Sequence, residues 1–256
     1  MKIPLDDARI IDGKATAAAV LEETASEVAR FSRGYRPPRL TVVIVGDNPA
    51  SRSYVKGKVT SAAACGIDSN LVELPAETTE RELLGLVDRL NADDEIDGIL
   101  VQLPLPAGID EQGIIERISP GKDVDGFHPY NLGRLVSNRP AFVPCTPLGI
   151  GEILDRYGVE VAGKHAVIIG RSVIVGKPMA MLLARKAPGG DATVTICHSR
   201  SIGLPGIART ADILIAAVGR PKMIGADWVK EGAVVIDVGV NRVEDDTRKR
   251  LSLIHI

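Results

Sequence analysis

The fold of this chain is decided by Lys164-His165-Ala166-Val167-Ile168-Ile169-Gly170-Arg171-Ser172-Val173-Ile174-Val175-Gly176-Lys177-Pro178. The part before Gly170 is apolar and rich in β-branched residues, which is typical of a strand buried in a parallel sheet. The pattern from Pro178 to Arg185 predicts a helix. A turn between a strand and a helix presents backbone amides and a helix amino terminus, which together bind phosphate groups. The stretch therefore predicts a nucleotide-binding α/β unit.

Two common phosphate-binding motifs do not match this turn. A P-loop has four residues between its glycines and a Ser or Thr after its lysine. Here five residues separate Gly170 from Gly176, and Pro178 follows Lys177. The dinucleotide fingerprint GxGxxG also fails, because Ser172 stands in place of the second glycine. What remains is a Gly-x5-Gly variant, and the alternative interpretation is that its glycines serve only the close packing of strand against helix.

The residues that follow the next strand favour NADP over NAD as the cofactor. Further strands are expected at 193–197, 213–218 and 234–238. An NAD site places an acidic residue after its second strand to hold the ribose hydroxyls, whereas this chain has His198-Ser199-Arg200. Together with Arg171 and Ser172, this segment supplies two guanidiniums and two hydroxyls, which suit a phosphate on the adenosine ribose. The alternative is that Arg200 is a solvated arginine at the end of a strand.

The first half of the chain alternates between helix and strand. Helices are expected over 13–32, 51–66 and 78–90, and strands over 40–45, 71–74 and 96–103. Ser51 and Ser53 are candidate caps of the second helix. Such alternation predicts a parallel sheet with crossover helices, in which ligands bind beyond the carboxyl ends of the strands. Asp47, Asn48 and Gln102 are expected at that edge.

Tyr54 and Lys58 are four residues apart in the second of these helices. Their side chains are therefore expected on one face, one turn apart. A phenol beside a primary amine can hold a flat ligand and move a proton. The alternative interpretation is an ordinary solvated lysine on an amphipathic helix.

Residues 119–147 break the alternation with a polar, turn-rich segment. We expect a connection between two domains that also lines a cleft, and the alternative is a plain linker. Asp123 and Asp125, beside an aromatic residue and His128, favour a functional loop. A calcium loop is excluded, because no third oxygen ligand follows at EF-hand spacing. A helix at about 147–157 comes next.

Composition excludes several classes of function. The 256 residues are 45% hydrophobic and 25% charged with a net charge of −2, which fits one large or two ordinary soluble α/β domains. No basic cluster is interleaved with aromatic residues, so no nucleic acid partner is expected. The apolar runs are too short to span a membrane, and the acidic amino terminus does not match a signal peptide. Cys65, Cys145 and Cys197 form no CxxC pair, so we expect no metal site and a cytoplasmic location.

A combination of motifs makes the chain resemble one family. The motifs are Asp47-Asn48-Pro49-Ala50-Ser51 with Tyr54-x3-Lys58, Val101-Gln102-Leu103-Pro104-Leu105-Pro106, Lys122-Asp123-Val124-Asp125-Gly126-Phe127-His128, Pro144-Cys145-Thr146-Pro147, Gly170-Arg171-Ser172-x2-Val175-Gly176-Lys177-Pro178 and Cys197-His198-Ser199. From near residue 10 to Arg242, the sequence resembles the bifunctional methylenetetrahydrofolate dehydrogenase/methenyltetrahydrofolate cyclohydrolase family.

The resemblance implies two α/β domains flanking a cleft. A tetrahydrofolate-binding catalytic domain would cover 1–143 and a Rossmann-like NADP-binding domain 144–250, with 251–256 as an atypical tail. The implied activity is NADP-dependent oxidation of 5,10-methylenetetrahydrofolate, followed by hydrolysis of the methenyl product to 10-formyltetrahydrofolate. This chemistry belongs to one-carbon metabolism and purine biosynthesis. Dimerisation is typical of the family, so a homodimer is expected.

The resemblance also implies roles for individual residues. Tyr54 would stack on the folate ring system, Lys58 would be the catalytic amine, Gln102 would tune it and Asp125 would anchor the pterin. Val101 and Leu103 complete the expected substrate-binding set. The expected NADP contacts are Gly170, Arg171, Ser172, Ser199, the Arg200 argued above and, through its backbone, Val240.

Two other protein classes are alternatives to the resemblance, and the carboxyl-terminal sequence differs from the family pattern. Short-chain dehydrogenases also use Tyr-x3-Lys, but their glycine turn comes first in the chain, whereas here Tyr54 precedes Gly170. A non-catalytic dinucleotide-binding module would bind NADP without turnover. After Arg242 the family pattern continues into a Pro- and Gly-rich loop and a final helix, whereas this sequence ends in Leu251-Ser252-Leu253-Ile254-His255-Ile256. A truncated reading frame, with or without activity, is the expectation.

Overall fold

The computed structural model describes residues 10–239, 241–243 and 252–254, which fold into α/β structure with parallel sheets. The described residues divide into two compact units, 10–133 and 134 onward. The helices are α1 (Gly13–Phe31), α2 (Pro49–Ala64), α3 (Glu80–Ala92), α4 (Glu111–Arg117), α5 (Pro129–Val136), α6 (Cys145–Arg156), α7 (Gly176–Ala184) and α8 (Leu204–Ala208). The strands are β1 (Arg39–Val45), β2 (Asp68–Leu74), β3 (Gly98–Val101), β4 (His165–Ile169), β5 (Thr193–Cys197), β6 (Ile213–Ala216), β7 (Val234–Asp237), β8 (Asn241–Val243) and β9 (Ser252–Ile254).

The first unit is a three-stranded parallel sheet covered by helices on both faces. The strand order is β2-β1-β3, and Val43 of β1 lies opposite Val101 of β3. Because side chains alternate along a strand, β1 contributes Val43 and Val45 to a core with α3 and α4. Val42 and Ile44 point to the other face, where they pack with residues of α2. Burial on both faces explains why β1 is almost wholly apolar.

Val55 and Val124 meet on the α2 face of this sheet. Val55 is a buried residue of α2, and Val124, in the loop after α4, packs against the same cluster as Val42. A side chain at position 98 would block this arrangement, since a Cβ there would lie 2.5 Å from Val124 Cγ1. Gly98 therefore lets the 122–126 loop pack closely on β3.

The cap of α2 differs from the sequence-based prediction. Asn48, rather than Ser51 or Ser53, accepts hydrogen bonds through Oδ1 from the amides of Ala50 and Ser51. The helix therefore begins at Pro49, whose fixed φ and missing N–H suit the first helical position. Ser51 and Ser53 lie inside the helix, so their prediction as caps was wrong.

Several predicted boundaries and one predicted loop are corrected. β3 covers 98–101 rather than 96–103, and β2 covers 68–74 rather than 71–74. α7 begins at Gly176, with Pro178 in its first turn, where an amide hydrogen would have no helical partner. The segment expected to be irregular over 119–147 contains α5, which starts at Pro129 and was missed because its turn residues obscured a short amphipathic pattern.

The second unit is a four-stranded parallel sheet in the order β5-β4-β6-β7. Its first strand in the chain, β4, is thus central, as in doubly wound nucleotide-binding folds. Ile169 lies opposite Cys197 of β5 and Ala216 of β6. This register places the residues after β4 and β5, which begin with Gly170 and His198, at one edge of the sheet. The strands β8 and β9 pair antiparallel.

No helix among the described residues is long and apolar enough to cross a membrane. Val240 and positions 251, 255 and 256 of the atypical tail lie outside the described residues, so the sequence-based expectations for them stay expectations.

Replacing Gly98 by Ala tests the seating of Val124. The added Cβ would overlap Val124 and approach Leu40 Cδ1 to 3.3 Å, so we expect a loss of about 1–3 kcal/mol in the free energy of unfolding. Gly57→Ala is the matched control, because position 57 is helical and open, and it should gain about 0.5–1 kcal/mol. Urea unfolding measures both changes. An unchanged Gly98→Ala protein would show that Val124 does not pack there.

Candidate functional site

Lys58 and Asp125 approach each other at the carboxyl edge of the first sheet. The distance from Lys58 Nζ to Asp125 Oδ1 is 3.8 Å, and the two side chains are 28% and 17% exposed. The contact follows from the core below it, since Val55 lies one turn before Lys58 and Val124 directly precedes Asp125. Lys58 is therefore not the solvated lysine of the alternative interpretation.

Tyr54 adds a flat surface to this pair. The Lys58 ammonium nitrogen lies 5.6 Å from the centroid of the Tyr54 ring, within the range of a cation–π contact. The Tyr54 side chain is 65% exposed, so its ring is open to a ligand. The Tyr54 ring, the Lys58 ammonium group and the Asp125 carboxylate together can bind a flat, polar heterocycle.

The two aspartates of the 122–126 loop make different contacts. Asp123 is 2% exposed, and its Oδ2 accepts hydrogen bonds from the His128 amide and from Asn131 Nδ2, each at 2.9 Å. Asp125 faces Lys58 instead. The spacing of the two carboxylates does not distinguish them, whereas the family resemblance singles out Asp125, and Asp125 is the one that lies near Lys58.

Lys122 fixes the start of the same loop. Its Nζ donates to the carbonyl oxygens of Leu90, Asn91 and Asp93, at distances of 3.1, 2.9 and 2.7 Å. A cation at the carboxyl end of a helix satisfies carbonyls that have no helical partner. Lys122 therefore ties the loop to the end of α3.

Burial raises the pKa of Asp125 above its ordinary value. The Lys58 ammonium acts against this shift, and the negative charge of Asp123 adds to it. Asp125 is thus a carboxyl group whose protonation responds to the two charges nearest to it.

Gln102 lies at the end of β3 and keeps one acceptor unused. Its amide N–H donates to the Val43 carbonyl at 2.8 Å, which extends the ladder with β1. Nε2 donates to the Leu103 carbonyl at 2.5 Å, whereas the buried Oε1 has no partner among the described residues. A buried amide oxygen without a donor is costly, so a ligand or ammonium donor would be favoured there. Val101, which precedes Gln102 on β3, is buried in the core that β3 shares with α3 and α4.

The polar residues expected beside Gln102 differ in their availability. Asn48 uses its side-chain oxygen to cap α2. Asp47, which precedes it, is exposed. Asn48 therefore serves to start the helix that carries Tyr54 and Lys58.

Asn131 is a further residue of this region that the sequence-based reasoning missed. It is 1% exposed and bonds to the Asp123 carboxylate. The available signal was its position four residues before Leu135, on the buried face of α5.

In the second unit, Gly170 and Gly176 are required by direct contact. Gly170 has a φ of +136°, and a Cβ there would collide with the Ala217 carbonyl oxygen. A Cβ on Gly176 would collide with the Gly170 carbonyl oxygen and lie 2.9 Å from the Arg171 amide nitrogen. The turn therefore folds back on itself at the end of β4, which confirms the packing interpretation of the two glycines, while phosphate binding at this turn stays a prediction.

Ser172 shapes the inside of this turn. Its Oγ accepts hydrogen bonds from the amides of Val175 (3.1 Å) and Gly176 (3.3 Å), just before α7. Because the hydroxyl uses its lone pairs in these contacts, its own proton can be donated to a ligand. Ser172 is exposed, as are Ser199 and the guanidiniums of Arg171 and Arg200.

The two arginines predicted to contact the cofactor follow neighbouring strands. Arg171 follows β4 and Arg200 follows β5, at the same edge of the sheet. Within the described part of the chain, neither arginine forms an ion pair. Two exposed guanidiniums beside two hydroxyls fit a phosphate group, so the residues present fit a phosphorylated dinucleotide. Across that same part of the chain, no group of three or more His, Cys, Asp or Glu side chains could hold a metal ion.

Comparisons with known proteins match both units of this chain to one family. Residues 11–125 match the family described as tetrahydrofolate dehydrogenase/cyclohydrolase, catalytic domain, and residues 144–252 match its NAD(P)-binding domain. A bifunctional protein FolD of Magnetococcus marinus is 54% identical over 93% of this chain and 82% of its own length.

Two solved structures share the fold closely. The bifunctional FolD enzyme of Campylobacter jejuni has a TM-score of 0.89 and 44% identity, covering 96% of this chain and 84% of that one. The methylenetetrahydrofolate dehydrogenase-cyclohydrolase of Trypanosoma brucei, solved with NADP cofactor and an inhibitor, has a TM-score of 0.90 and 41% identity. It covers 97% of this chain and 84% of its own.

Removing the Lys58 charge should raise the pKa of Asp125 further. In Lys58→Met the carboxylate loses the nearby cation that stabilises its charged form. The titration of the Asp125 carboxyl carbon by NMR measures the change, with the signal assigned by its loss in Asp125→Asn. Lys56→Met, on an exposed part of the same helix, is the control and should leave the titration unchanged. An unchanged Asp125 titration in Lys58→Met would contradict the pairing.

Proposed function

The chain belongs to the tetrahydrofolate dehydrogenase/cyclohydrolase family, and from this premise we propose which of its residues carry the chemistry. The protein oxidises 5,10-methylenetetrahydrofolate to the methenyl form with NADP and hydrolyses that product to 10-formyltetrahydrofolate. The single observation that carries the assignment of residues is the 3.8 Å approach of Lys58 to Asp125 beside the Tyr54 ring. We assign the folate chemistry to domain 1–143 and the cofactor to domain 144–250.

Lys58 moves the proton of the hydrolysis step. Water adds to the electrophilic methenyl carbon and loses one proton, which leaves a hydroxyl on that carbon. The hydroxyl loses the second proton as the formyl C=O forms, and the ring nitrogen gains one proton as its bond to the carbon breaks, so that one proton is released overall. A primary amine held in a partly buried position can accept and return such a proton. The side chain of Lys58 is 28% exposed and is held between a ring and a carboxylate, which restricts its position.

Asp125 and Tyr54 hold the substrate. A carboxylate accepts hydrogen bonds from the N–H groups of a pterin ring, and burial strengthens such bonds. The exposed Tyr54 ring stacks on the folate ring system. The unused Oε1 of Gln102 supplies an acceptor for the Lys58 ammonium or for the substrate, and Val101 and Leu103 flank it.

NADP, when bound, supplies the acceptor for the hydride that leaves the methylene carbon. The chain contributes the turn at Gly170, and its neighbours Arg171 and Ser172, with Ser199 and Arg200, would hold the phosphate of the bound cofactor. The two guanidiniums, exposed and without ion pairs among the described residues, are the support for this assignment. Val240 is assigned to the cofactor by the family pattern alone.

The rival interpretations lose support. The family match covers both units, so neither a non-catalytic binding module nor a short-chain dehydrogenase accounts for the first unit. For the assembly we propose a homodimer, as is typical of this family, and light scattering tests it. For the location we propose the cytoplasm, which the buried thiols of Cys65 and Cys197 support.

Lys58→Met should abolish hydrolysis and damage hydride transfer less. The methionine retains the length of the side chain but cannot carry a proton, so we expect the methenyl hydrolysis rate to fall by at least about a hundredfold. Absorbance of the methenyl compound measures hydrolysis, and reduced cofactor measures oxidation. Lys56→Met is the control for a charge lost from α2. Unchanged hydrolysis in Lys58→Met would refute its role as the proton carrier.

Arg171→Ala and Arg200→Ala should weaken NADP binding far more than NAD binding. Each removes a charge-assisted contact to the ribose phosphate, which NAD lacks, so we expect roughly a tenfold or greater rise in Kd for NADP. Calorimetric titration with each dinucleotide measures this. Arg209→Ala is the control, since Arg209 precedes β6 and so lies at the opposite edge of the sheet. Equal losses for NADP and NAD would overturn the assignment.

A further inference from the structure

We propose that Asn131 is a positioning residue that holds Asp125 at its distance from Lys58 by fixing the loop between Pro120 and Asp123. The inference rests on the proposed function, because Asp125 matters to catalysis only if it anchors the folate. Asn131 itself lies in α5 and touches neither Asp125 nor Lys58 in the described hydrogen bonds.

One buried amide group joins both ends of this loop. Asn131 Nδ2 donates to the Pro120 carbonyl at 2.9 Å and to Asp123 Oδ2, also at 2.9 Å. Asn131 is 1% exposed and Asp123 is 2% exposed. Asn131 Oδ1 has no partner among the described residues, so the side chain acts as a double donor. Aspartate or leucine could not make these two contacts.

The remaining contacts of the loop leave Asp125 little freedom. Lys122 is tied to the end of α3, and the Ile99 amide donates to the Lys122 carbonyl at 2.7 Å. The Gly126 amide closes a turn on the Asp123 carbonyl at 3.1 Å. Val124 and Asp125 are the two residues inside this closed turn, and the Asp125 side chain faces Lys58. The bond from Asn131 holds the turn at its first residue, Asp123.

The buried charge of Asp123 makes this bond important. A carboxylate at 2% exposure requires donors, and its Oδ2 receives two, from Asn131 and from the His128 amide. Without Asn131, the carboxylate would move toward water and take the turn with it. Asp125 would then become more hydrated, and its pKa would fall back toward the ordinary value, because burial is the main cause of its rise. The charged groups that act on Asp125 in the described part of the chain are Lys58 on α2 and Asp123 on its own loop.

Asn131→Ala in this 256-residue chain tests the proposal through two measurements. In the NMR titration, the pKa of Asp125 should fall toward the ordinary value. In steady-state hydrolysis of 5,10-methenyltetrahydrofolate, KM should rise by about tenfold with a smaller change in kcat, because the anchor is displaced and the proton carrier is intact. The acidic limb of the pH profile of kcat/KM should move to lower pH with the pKa of Asp125.

Thr79→Ala is the control for destabilisation alone. Thr79 caps the far end of α3 through Oγ1 and the Glu82 carboxylate, and its loss costs about 1 kcal/mol. This variant should leave the Asp125 titration and the folate KM unchanged. If Asn131→Ala does not fold, Asn131→Ser, which keeps one donor, replaces it and should shift both measurements less but in the same directions.

Different results would contradict the positioning role of Asn131 and the anchoring role of Asp125. An Asp125 titration in Asn131→Ala (or in Asn131→Ser) that matches the wild type and Thr79→Ala would overturn the positioning proposal. Asp125→Asn with an unchanged folate KM would instead show that Asp125 is not the anchor, while the titration would still decide whether Asn131 positions it.

Discussion

The packing of Val55 and Val124 on one face of the first sheet is the constraint on which the candidate site depends. Burying an aliphatic side chain of this size stabilises a fold by roughly 1.5–3 kcal/mol. That energy is what brings Lys58 and Asp125 within 3.8 Å, since a bare ion pair at partly exposed positions would contribute little on its own. The apolar core thus sets the polar geometry above it.

The two units position their candidate binding groups by different means. The first unit positions side chains through a helix and a loop that share a core, and it secures the loop with Lys122, Asp123 and Asn131. The second unit relies on backbone, because Gly170 and Gly176 are in direct contact and no larger residue fits. A rigid glycine turn suits a phosphate group, whose shape does not change. The side chains of Tyr54, Lys58 and Asp125 suit a substrate that must exchange protons.

Much of this could be predicted from the sequence. The alternation of apolar runs and amphipathic segments predicts the two parallel α/β units, and the spacing of Tyr54 and Lys58 predicts a shared helical face. The choice of cap could not be predicted, since Asn48, Ser51 and Ser53 all favour a helix start, and Pro49 decided it. The family resemblance singles out Asp125, but the buried bond between Asp123 and Asn131 depends on contacts between different elements, which local patterns do not record.

The most direct test of this account is to give the protein 5,10-methylenetetrahydrofolate and NADP and to follow both products together. The account predicts reduced NADP, measured by absorbance, and 10-formyltetrahydrofolate, measured by chromatography, with the second product appearing after the first. NADP bound with normal affinity, as measured by calorimetry, but with neither product formed would contradict the assignment of catalysis to Lys58 and Asp125 in this chain.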